Sequence, residues 1–256
     1  MKLGIHYMVF DGEELLEFAI KSIRNVVDYI CVTYQETSYF GNKVDPNVLE
    51  TFKRLQDAHL IDDIIPYQTD LSIHHKENEL NLRNLGLDAS IKAGCTHHIS
   101  ADVDEFYKEK ELEYAKNLMY VNNYDLSTVY QEYYYKEPTY LVTPSQNLPV
   151  SFIIPVTNRY DRRIKTKLQN YETTKKVVKY DNIKVFNHSE IIQHHMSYVR
   201  KDIRKKFANS DNAQYYELEK FIQNHENYKL GGRVCLLPEY LNRKTIEVEN
   251  IFNIHL

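Results

Sequence analysis

The sequence is poor in residues that mark several common classes of protein. Its 256 residues include no Trp and only 3 Cys, 7 Gly and 7 Pro. The cysteines, Cys31, Cys95 and Cys235, are far apart and form no C-x-x-C pair, so neither a disulfide framework nor a cysteine zinc site is indicated. The scarcity of Gly and Pro argues against long flexible linkers. We therefore expect buried, reduced thiols in a folded cytoplasmic protein.

Long apolar runs and a strong charge of either sign are also missing. No stretch of about 18 apolar residues occurs, which predicts that no segment spans a membrane. The N-terminus turns acidic after ten residues and lacks the apolar core of a signal peptide. The formal net charge is -4, which gives the chain as a whole no attraction to nucleic acids or membranes.

The first part of the chain alternates between the two hydrophobic periods of regular structure. Strand patterns occur within residues 2–10, 29–34, 61–69 and 97–100, and helical patterns cover residues 13–27, 48–59 and 76–93. This alternation predicts a mostly parallel sheet with helices on both faces. The expected fold class is therefore α/β, with a twisted, Rossmann-like central sheet.

The pattern changes after residue 125. Residues 126–135 and 190–199 alternate like strands, whereas residues 200–207 and 215–224 have helical spacing. No clear boundary separates this part from the first. We therefore predict one continuous domain that ends in helices.

An acidic cluster follows the fourth predicted strand, in the stretch HHISADVDEF. Asp102 and Asp104 are two positions apart, so in an extended backbone their carboxylates point to the same side. Such a pair suits a hard divalent cation, Mg2+ or Mn2+, which usually bridges carboxylates to ligand phosphates. Ligands of parallel sheets bind beyond the carboxyl ends of the strands, where this cluster lies. We expect Asp104 at the rim of the sheet; the alternative is a solvated turn in which Asp102 caps a helix.

Two adjacent histidines occupy the predicted strand at residues 190–199. Alternation puts His194 on an apolar face with Ile192 and Met196, and puts His195 on the opposite face. His194 is therefore predicted to be a core residue and His195 a ligand. A structural role for both is the alternative.

Several stretches together resemble the GT-A glycosyltransferases of the family-two-like group, which use nucleotide-diphosphate sugars. They are IHYMVFDGEELLEFAIKSI, YICVTYQETS, NLRNLGLDASIKAG, HHISADVDEF and HHMSYVRKDIRKKFANS, spread between residues 3 and 210. The resemblance implies a single GT-A domain. Its parts would be a nucleotide-sugar-binding half of about residues 1–106, an acceptor and catalytic half of about residues 107–210 and a helical extension of about residues 211–256.

The resemblance also implies an activity. The chain would be a metal-dependent hexosyl- or pentosyltransferase that moves a sugar from a nucleotide-diphosphate sugar, a UDP-sugar above all, to a hydroxyl acceptor, with Mn2+ or Mg2+ as cofactor. The implied nucleotide-sugar-binding residues are His6, Tyr7, Val9, Tyr34, Arg83 and Asp102, and the implied metal ligands are Asp104 and His195. One departure concerns the second strand, which often ends in an acid in such enzymes but here ends in Tyr34 and Gln35, with Glu36 beyond. The identity of the nucleotide stays open.

Catalytic candidates lie close to His195. The basic stretch RKDIRKKF carries Arg200, Lys201, Arg204 and Lys205 at helical spacing. Cations here would stabilise a diphosphate leaving group, and Arg200 is preferred because it is nearest to His195. Glu190 is the candidate general base of an inverting reaction, and a retaining one would need no such base. The alternatives are a solvated helix face for the cations and a surface role for Glu190.

The acceptor is predicted from charge. Residues 159–184 contain nine basic residues against three acids, which suggests an anionic acceptor such as DNA. The frequent Tyr, Lys, Asn and Ile residues are typical of AT-rich genomes, including those of many phages, so a hydroxylated base in DNA is one hypothesis. A surface glycan is the other.

Two further functions remain as alternatives. A nucleotidyltransferase that makes nucleotide-diphosphate sugars is disfavoured, because the sequence HYMVFDGEE has no Gly-rich loop after the first strand. A non-catalytic module that binds sugars or nucleic acids is the other alternative.

Overall fold

The fold follows the alternation of strands and helices predicted for the first part of the chain. The computed structural model describes residues 1–144, 149–164, 173–178, 181–210, 218–234 and 243–256. The first elements are β1 (Leu3–Val9), α1 (Glu13–Lys21), β2 (Tyr29–Gln35), α2 (Pro46–Asp57), β3 (Asp63–Tyr67), α3 (His75–Lys92) and β4 (His97–Asp102). The first helix is shorter than predicted, because turns replace it after Lys21.

The central sheet has the strand order β3-β2-β1-β4, with all neighbours parallel, and a short antiparallel strand, β9 (Ile154–Pro155), at the β4 edge. The predicted α/β class with a mostly parallel central sheet is therefore confirmed. Met8 of β1 lies opposite Asp102 of β4, and Val9 lies opposite Tyr34 of β2. The carboxyl ends of β1, β2 and β4 thus meet at one edge of the sheet.

The two faces of β1 have different neighbours. Ile5 and Tyr7 belong to the main core, together with the buried side of α1. His6 points the other way, against α3, where a Cβ added at Gly86 would be 2.1 Å from the imidazole Cγ. Gly86 therefore permits the helix to approach the sheet closely, and both faces of β1 are buried.

The later elements form a second, mixed sheet. They are β5 (Glu105–Phe106), α4 (Glu109–Asn122), β6 (Leu126–Tyr135), β7 (Tyr140–Thr143), β8 (Val150–Ser151), a 3-10 turn (Thr173–Lys175), β10 (Ile183–Val185), β11 (Ile192–Tyr198), α5 (Ile203–Ala208), α6 (Leu218–Glu226) and β12 (Lys244–Glu247). The sheet runs β12-β7-β6-β11-β5, and β5 directly follows the end of β4. The acidic cluster therefore lies where the two sheets meet.

The helix predicted over residues 200–207 begins later. Asp202 is its N-cap, and its carboxylate accepts hydrogen bonds from the backbone N–H groups of Arg204 and Lys205. Arg200 consequently precedes α5. The helix predicted over residues 215–224 is observed as α6, and residues 215–217 lie outside the described part. Within the described ranges, no helix has both the length and the apolar character needed to cross a membrane.

Candidate functional site

A cavity of about 280 Å3 opens at the carboxyl ends of β1, β2 and β4. The acidic cluster supplies Asp102 and Asp104 to its wall, and the later part of the chain supplies His195, Arg200 and Lys206. The first turns of α3 close another side. Residues far apart in sequence, acidic and basic, therefore converge on one concave site where ligands of parallel sheets bind.

Each acid of the cluster has its own cation. The pairs are Asp102 with Arg83, Asp104 with Arg200 and Glu105 with Lys175, at N–O distances of 3.2, 2.6 and 2.6 Å. The three cations come from different parts of the chain, α3, the turn before α5 and the 3-10 turn. Mutual repulsion among the acids is thus offset by ion pairs that the sequence alone does not reveal.

Asp104 is the most heavily contacted of these acids. Its Oδ2 accepts hydrogen bonds from Arg200 Nη2 at 2.6 Å and from Lys206 Nζ at 3.1 Å, and its Oδ1 is 3.3 Å from His195 Nε2. Burial alone would raise the pKa of Asp104, but Lys206, His195 and Arg200 hold it well below its ordinary value. Asp104 lies just beyond the carboxyl end of β4, at the rim of the sheet as expected, but it is only 3% exposed because the second sheet covers it.

The Arg200 guanidinium lies directly against the backbone that precedes α1. A Cβ added at Gly12 would be 1.6 Å from Arg200 Nη1, and Gly12 has a φ of 80°. Only glycine allows this approach in that conformation. Arg200 Nη1 is buried and has no hydrogen-bond acceptor among the described residues. Since a buried N–H normally has a partner, this atom is a donor available to a ligand.

The two histidines lie on opposite faces, as alternation predicted. His195 faces Asp104, and its ring centroid is 5.1 Å from that of Tyr133. His194 is 2% exposed, and its Nδ1 is 2.9 Å from the hydroxyl of Tyr134. Burial lowers the pKa of His194 to about 3, so it is neutral in the folded protein. His194 is therefore a core residue, whereas His195 reaches the cavity.

Arg83 contacts Asp102 and does not line the cavity. The side chain is fully buried, and it donates hydrogen bonds to Glu79 at 2.8 Å, Ser100 at 2.9 Å and Thr174 at 3.0 Å. It also pairs with Asp102, which does line the cavity. The expectation that Arg83 itself reaches a nucleotide is corrected: it acts on the site through Asp102.

Three other expected nucleotide contacts, His6, Tyr7 and Tyr34, do not line the cavity. His6 and Tyr7 are 0% exposed, because β1 is covered on both faces. Tyr34 packs on Phe52 and does not line the cavity. Val9 does line it. The sequence could not separate these residues, since a strand buried on both faces has no polar alternation.

Glu190, the expected general base, lies away from the cavity. Glu190 pairs with Lys184 at 2.6 Å and accepts a hydrogen bond from the backbone N–H of Asn187 at 2.9 Å, and it does not line the cavity. These contacts hold it at the opposite end of β11 from Ser197, which lines the cavity. The distance of five residues along an extended strand is the physical reason that Glu190 is remote from the site.

The basic stretch contributes a residue that sequence reasoning missed. Lys201 is exposed, Arg204 pairs with Glu219 at the surface, and Lys205 pairs with Glu13 and Asp45. Lys206 instead reaches Asp104. Helical spacing could have identified Lys206. With Asp202 as the N-cap of α5, Lys206 lies three residues after the buried Ile203 and therefore on the same side of the helix.

Gln35 is a second missed residue. Its Nε2 donates to Thr69 Oγ1 at 2.8 Å, and the Thr69 hydroxyl in turn donates to the Thr37 carbonyl at 2.5 Å. This chain of donors fixes the orientation of the amide, so the carboxamide oxygen of Gln35 is the atom left for a ligand. Gln35 lines the cavity, at the position where an acid was expected.

Five of the six basic residues that the structure describes within residues 159–184 pair with carboxylates. The carboxylate partners of Arg159, Arg162, Arg163, Lys175 and Lys184 are Asp88, Glu77, Asp161, Glu105 and Glu190. Lys165, Lys167 and Lys179 lie outside the described residues. Lys175 is 1% exposed and takes no part in a surface patch.

Comparison with known proteins yields likenesses of structure only. No family model and no curated protein matches the sequence. Among solved structures, the chain is similar to residues 1-349 of S. aureus TarS, with 12% identity, a TM-score of 0.47 and coverage of 86% of this chain and 68% of that one. The same fragment in complex with UDP-GlcNAc gives 14% identity, a TM-score of 0.47 and coverage of 90% and 68%. A longer TarS structure gives 11% identity, a TM-score of 0.48 and coverage of 90% and 40%.

Proposed function

We propose that this chain is a glycosyltransferase that moves a sugar from a nucleotide-diphosphate sugar, with UDP-sugars as the first candidates, to a hydroxyl acceptor. The observation that carries the proposal is the convergence of Asp104 with Arg200 and Lys206 at the carboxyl ends of the parallel strands. Charged donors to phosphate are strongest where they are buried and fixed. Arg200 meets both conditions, because it is 8% exposed and its Nη1 is free.

The residues fit a divalent cation, Mn2+ or Mg2+, with Asp104 and His195 as its protein ligands. Asp104 Oδ1 and His195 Nε2 are 3.3 Å apart, close to the separation of about 3 Å for neighbouring ligands of an octahedral ion. The described residues contain no group of three or more His, Cys, Asp or Glu side chains that could hold a metal. Phosphate and water would therefore fill the remaining positions, as is usual for Mg2+. A bound ion would supply positive charge to the departing diphosphate.

Arg200 and Lys206 would hold the leaving group. Both already share Asp104 as a counter-ion, so their positions are set before a donor binds. Negative charge builds up on the diphosphate as the sugar leaves, and preorganised cations stabilise that charge without rearrangement. Arg200 Nη1 provides the donor that is free in the absence of ligand.

Asp102 and Gln35 would orient the nucleoside. The Asp102 carboxylate lines the cavity and is held by Arg83, so it can accept a hydrogen bond from a ribose hydroxyl. The Gln35 oxygen is an acceptor for an N–H or O–H of the same nucleoside. Neither contact requires Arg83 to touch the ligand.

A glycan hydroxyl is the acceptor that we propose. The case for DNA depended on a free basic surface at residues 159–184, and five of its nine cations pair with carboxylates. Duplex DNA binding at about 50 mM salt that weakens steeply at about 200 mM would favour DNA instead. Location in the cytoplasm stays a prediction.

The deciding experiment is a panel of nucleotide-diphosphate sugars incubated with Mn2+, with release of the nucleoside diphosphate as the readout. Asp104→Asn should abolish release, whereas the control Lys184→Met removes a cation away from the cavity and should have no effect. Full activity in excess EDTA would refute the requirement for a divalent cation. Exchange of pyrophosphate into the sugar nucleotide would indicate a nucleotidyltransferase. Binding without turnover of any donor would indicate a non-catalytic module.

A further inference from the structure

Two adjacent residues of the Lys-rich segment enter the interior directly beneath the acidic cluster. Thr174 is 0% exposed and Lys175 is 1% exposed, and both belong to the 3-10 turn Thr173–Lys175. A fully buried lysine is rare unless it is paired. The contacts described for Thr174 and Lys175 join them to Glu79, which lines the cavity, and to Arg83 and Glu105, which both contact Asp102.

Lys175 is bound to Glu105 by a bidentate ion pair. Its Nζ is 2.6 and 2.7 Å from the two carboxylate oxygens, and Glu105 is also 1% exposed. Glu105 Oε2 in turn accepts a hydrogen bond from the backbone N–H of Asp102 at 3.1 Å. The backbone of Glu105 pairs with His195 across β5 and β11. Lys175 thus holds the residue that joins Asp102 to His195.

Thr174 supports the same acids by a second route. Its hydroxyl accepts a hydrogen bond from Arg83 Nε at 3.0 Å and donates one to Glu79. Arg83 is the cation of Asp102. The two neighbouring side chains therefore fix the carboxylate and the backbone of Asp102 separately.

The buried Lys175–Glu105 pair is not needed for the stability of the fold. Desolvation of a buried Lys–Glu pair offsets most of its Coulomb attraction, so apolar residues of similar volume would stabilise the fold equally well. What such residues would not supply is a directed acceptor for the Asp102 N–H group. Orientation of the acids is the property that depends on the charges.

We propose that Thr174 and Lys175 are positioning residues, which hold Asp102 and His195 in the arrangement that binds the donor. The proposal rests on the function proposed above. Neither residue touches the ligand, because neither lines the cavity. Their effect is transmitted through Glu105 and Arg83.

The test compares nucleotide affinity with stability. UDP binding is measured by calorimetry with Mn2+ at a temperature where urea titration shows every variant to be folded. Lys175→Met and Thr174→Val should each weaken UDP binding about tenfold, the usual loss when a group that orients a ligating residue is removed. Lys184→Met is the matched control, because it breaks a Lys–Glu pair of the same 2.6 Å length away from the cavity and should bind UDP normally.

A double variant keeps the test valid if Lys175→Met does not fold. Glu105→Leu with Lys175→Met replaces both buried charges by apolar side chains, so it removes the acceptor of the Asp102 N–H group. It should restore stability, while UDP binding remains weaker than in the unchanged protein. UDP affinity equal to that of the unchanged protein, in both the double variant and Thr174→Val, would overturn the positioning role. If the unchanged protein binds none of UDP, GDP, CDP, dTDP and ADP, the proposed function itself fails.

Discussion

Buried histidines should make the fold sensitive to mild acid. His6 and His98 are fully buried, and His194 is 2% exposed. Burial lowers the pKa of His98 and of His194 to about 3, and it lowers the pKa of His6 as well. In the unfolded chain each imidazole has its ordinary pKa of about 6.5. Below that pH the unfolded state binds protons that the folded state does not, so stability falls from about pH 6.5 toward pH 3.

The size of the loss follows from the pKa differences. Each pH unit within this window lowers the free energy of unfolding by about 1.4 kcal/mol per histidine. At pH 5, His98 and His194 together should remove about 4 kcal/mol, a large share of the roughly 5–15 kcal/mol typical of a domain. Burial raises the pKa values of Glu105 and Glu132, and these two groups act in the opposite direction. The effect of one histidine must therefore be isolated by substitution.

Urea unfolding at several pH values between about 7.5 and 5 measures the loss. The unchanged protein should lose stability with each step below about pH 6.5, and His98→Gln should show a slope smaller by about 1.4 kcal/mol per pH unit. The slope is informative even though the substitution also lowers stability at neutral pH. Identical slopes for the two proteins would show that His98 is not held neutral by burial, and the reasoning would fail.

Substitutions at Gly12, Asp104 and the two adjacent histidines test the site. Gly12→Ala should displace Arg200 and add about 1–2 kcal/mol of backbone strain, so weaker UDP binding and a lower urea midpoint are expected, and normal values of both would contradict the close approach. Asp104→Ala should destabilise the fold by about 3–5 kcal/mol because Arg200 is left buried without its partner; urea unfolding should show a milder loss for Asp104→Asn, and equal stability of all three proteins would contradict this. His195→Ala should lower turnover strongly and the melting temperature only slightly, whereas His194→Ala should lower the melting temperature strongly and turnover only slightly. The opposite ranking of the two variants would contradict the assignment of the two histidines to their faces.

The part of the fold that could be predicted from the sequence depends on local patterns of apolar and polar residues. The order of strands and helices up to β4 depends on hydrophobic periodicity, which is a property of neighbouring residues. The same holds for the opposite faces of His194 and His195, since side chains of a strand alternate. The acidic cluster could be located for the same reason, because it directly follows a buried strand.

Long-range pairing set the limit of prediction. Lys175 stands among many lysines, and nothing nearby in sequence marks it as the one that pairs with Glu105, 70 residues away. Lys206 reaches Asp104 across 102 residues. Such partners are chosen by topology, which composition and periodicity do not encode. The expectation that Glu190 lies at the site fails for the same reason, because nearness to His195 in sequence does not imply nearness to the cavity in space.

The division of cations among distant segments affects how the chain can be recombined. The acids Asp104 and Glu105 lie at the end of the first half, but their counter-ions Lys175, Arg200 and Lys206 all come from the second. A fragment that stops after β5 would expose three carboxylates with Arg83 as the one described cation from its own half. The half that would bind the donor is therefore not a portable module: a chimaera that joins it to a foreign second half needs all three cations at equivalent positions. During synthesis, the wall of the cavity can be completed only after Ser210, the last of its lining residues, has left the ribosome.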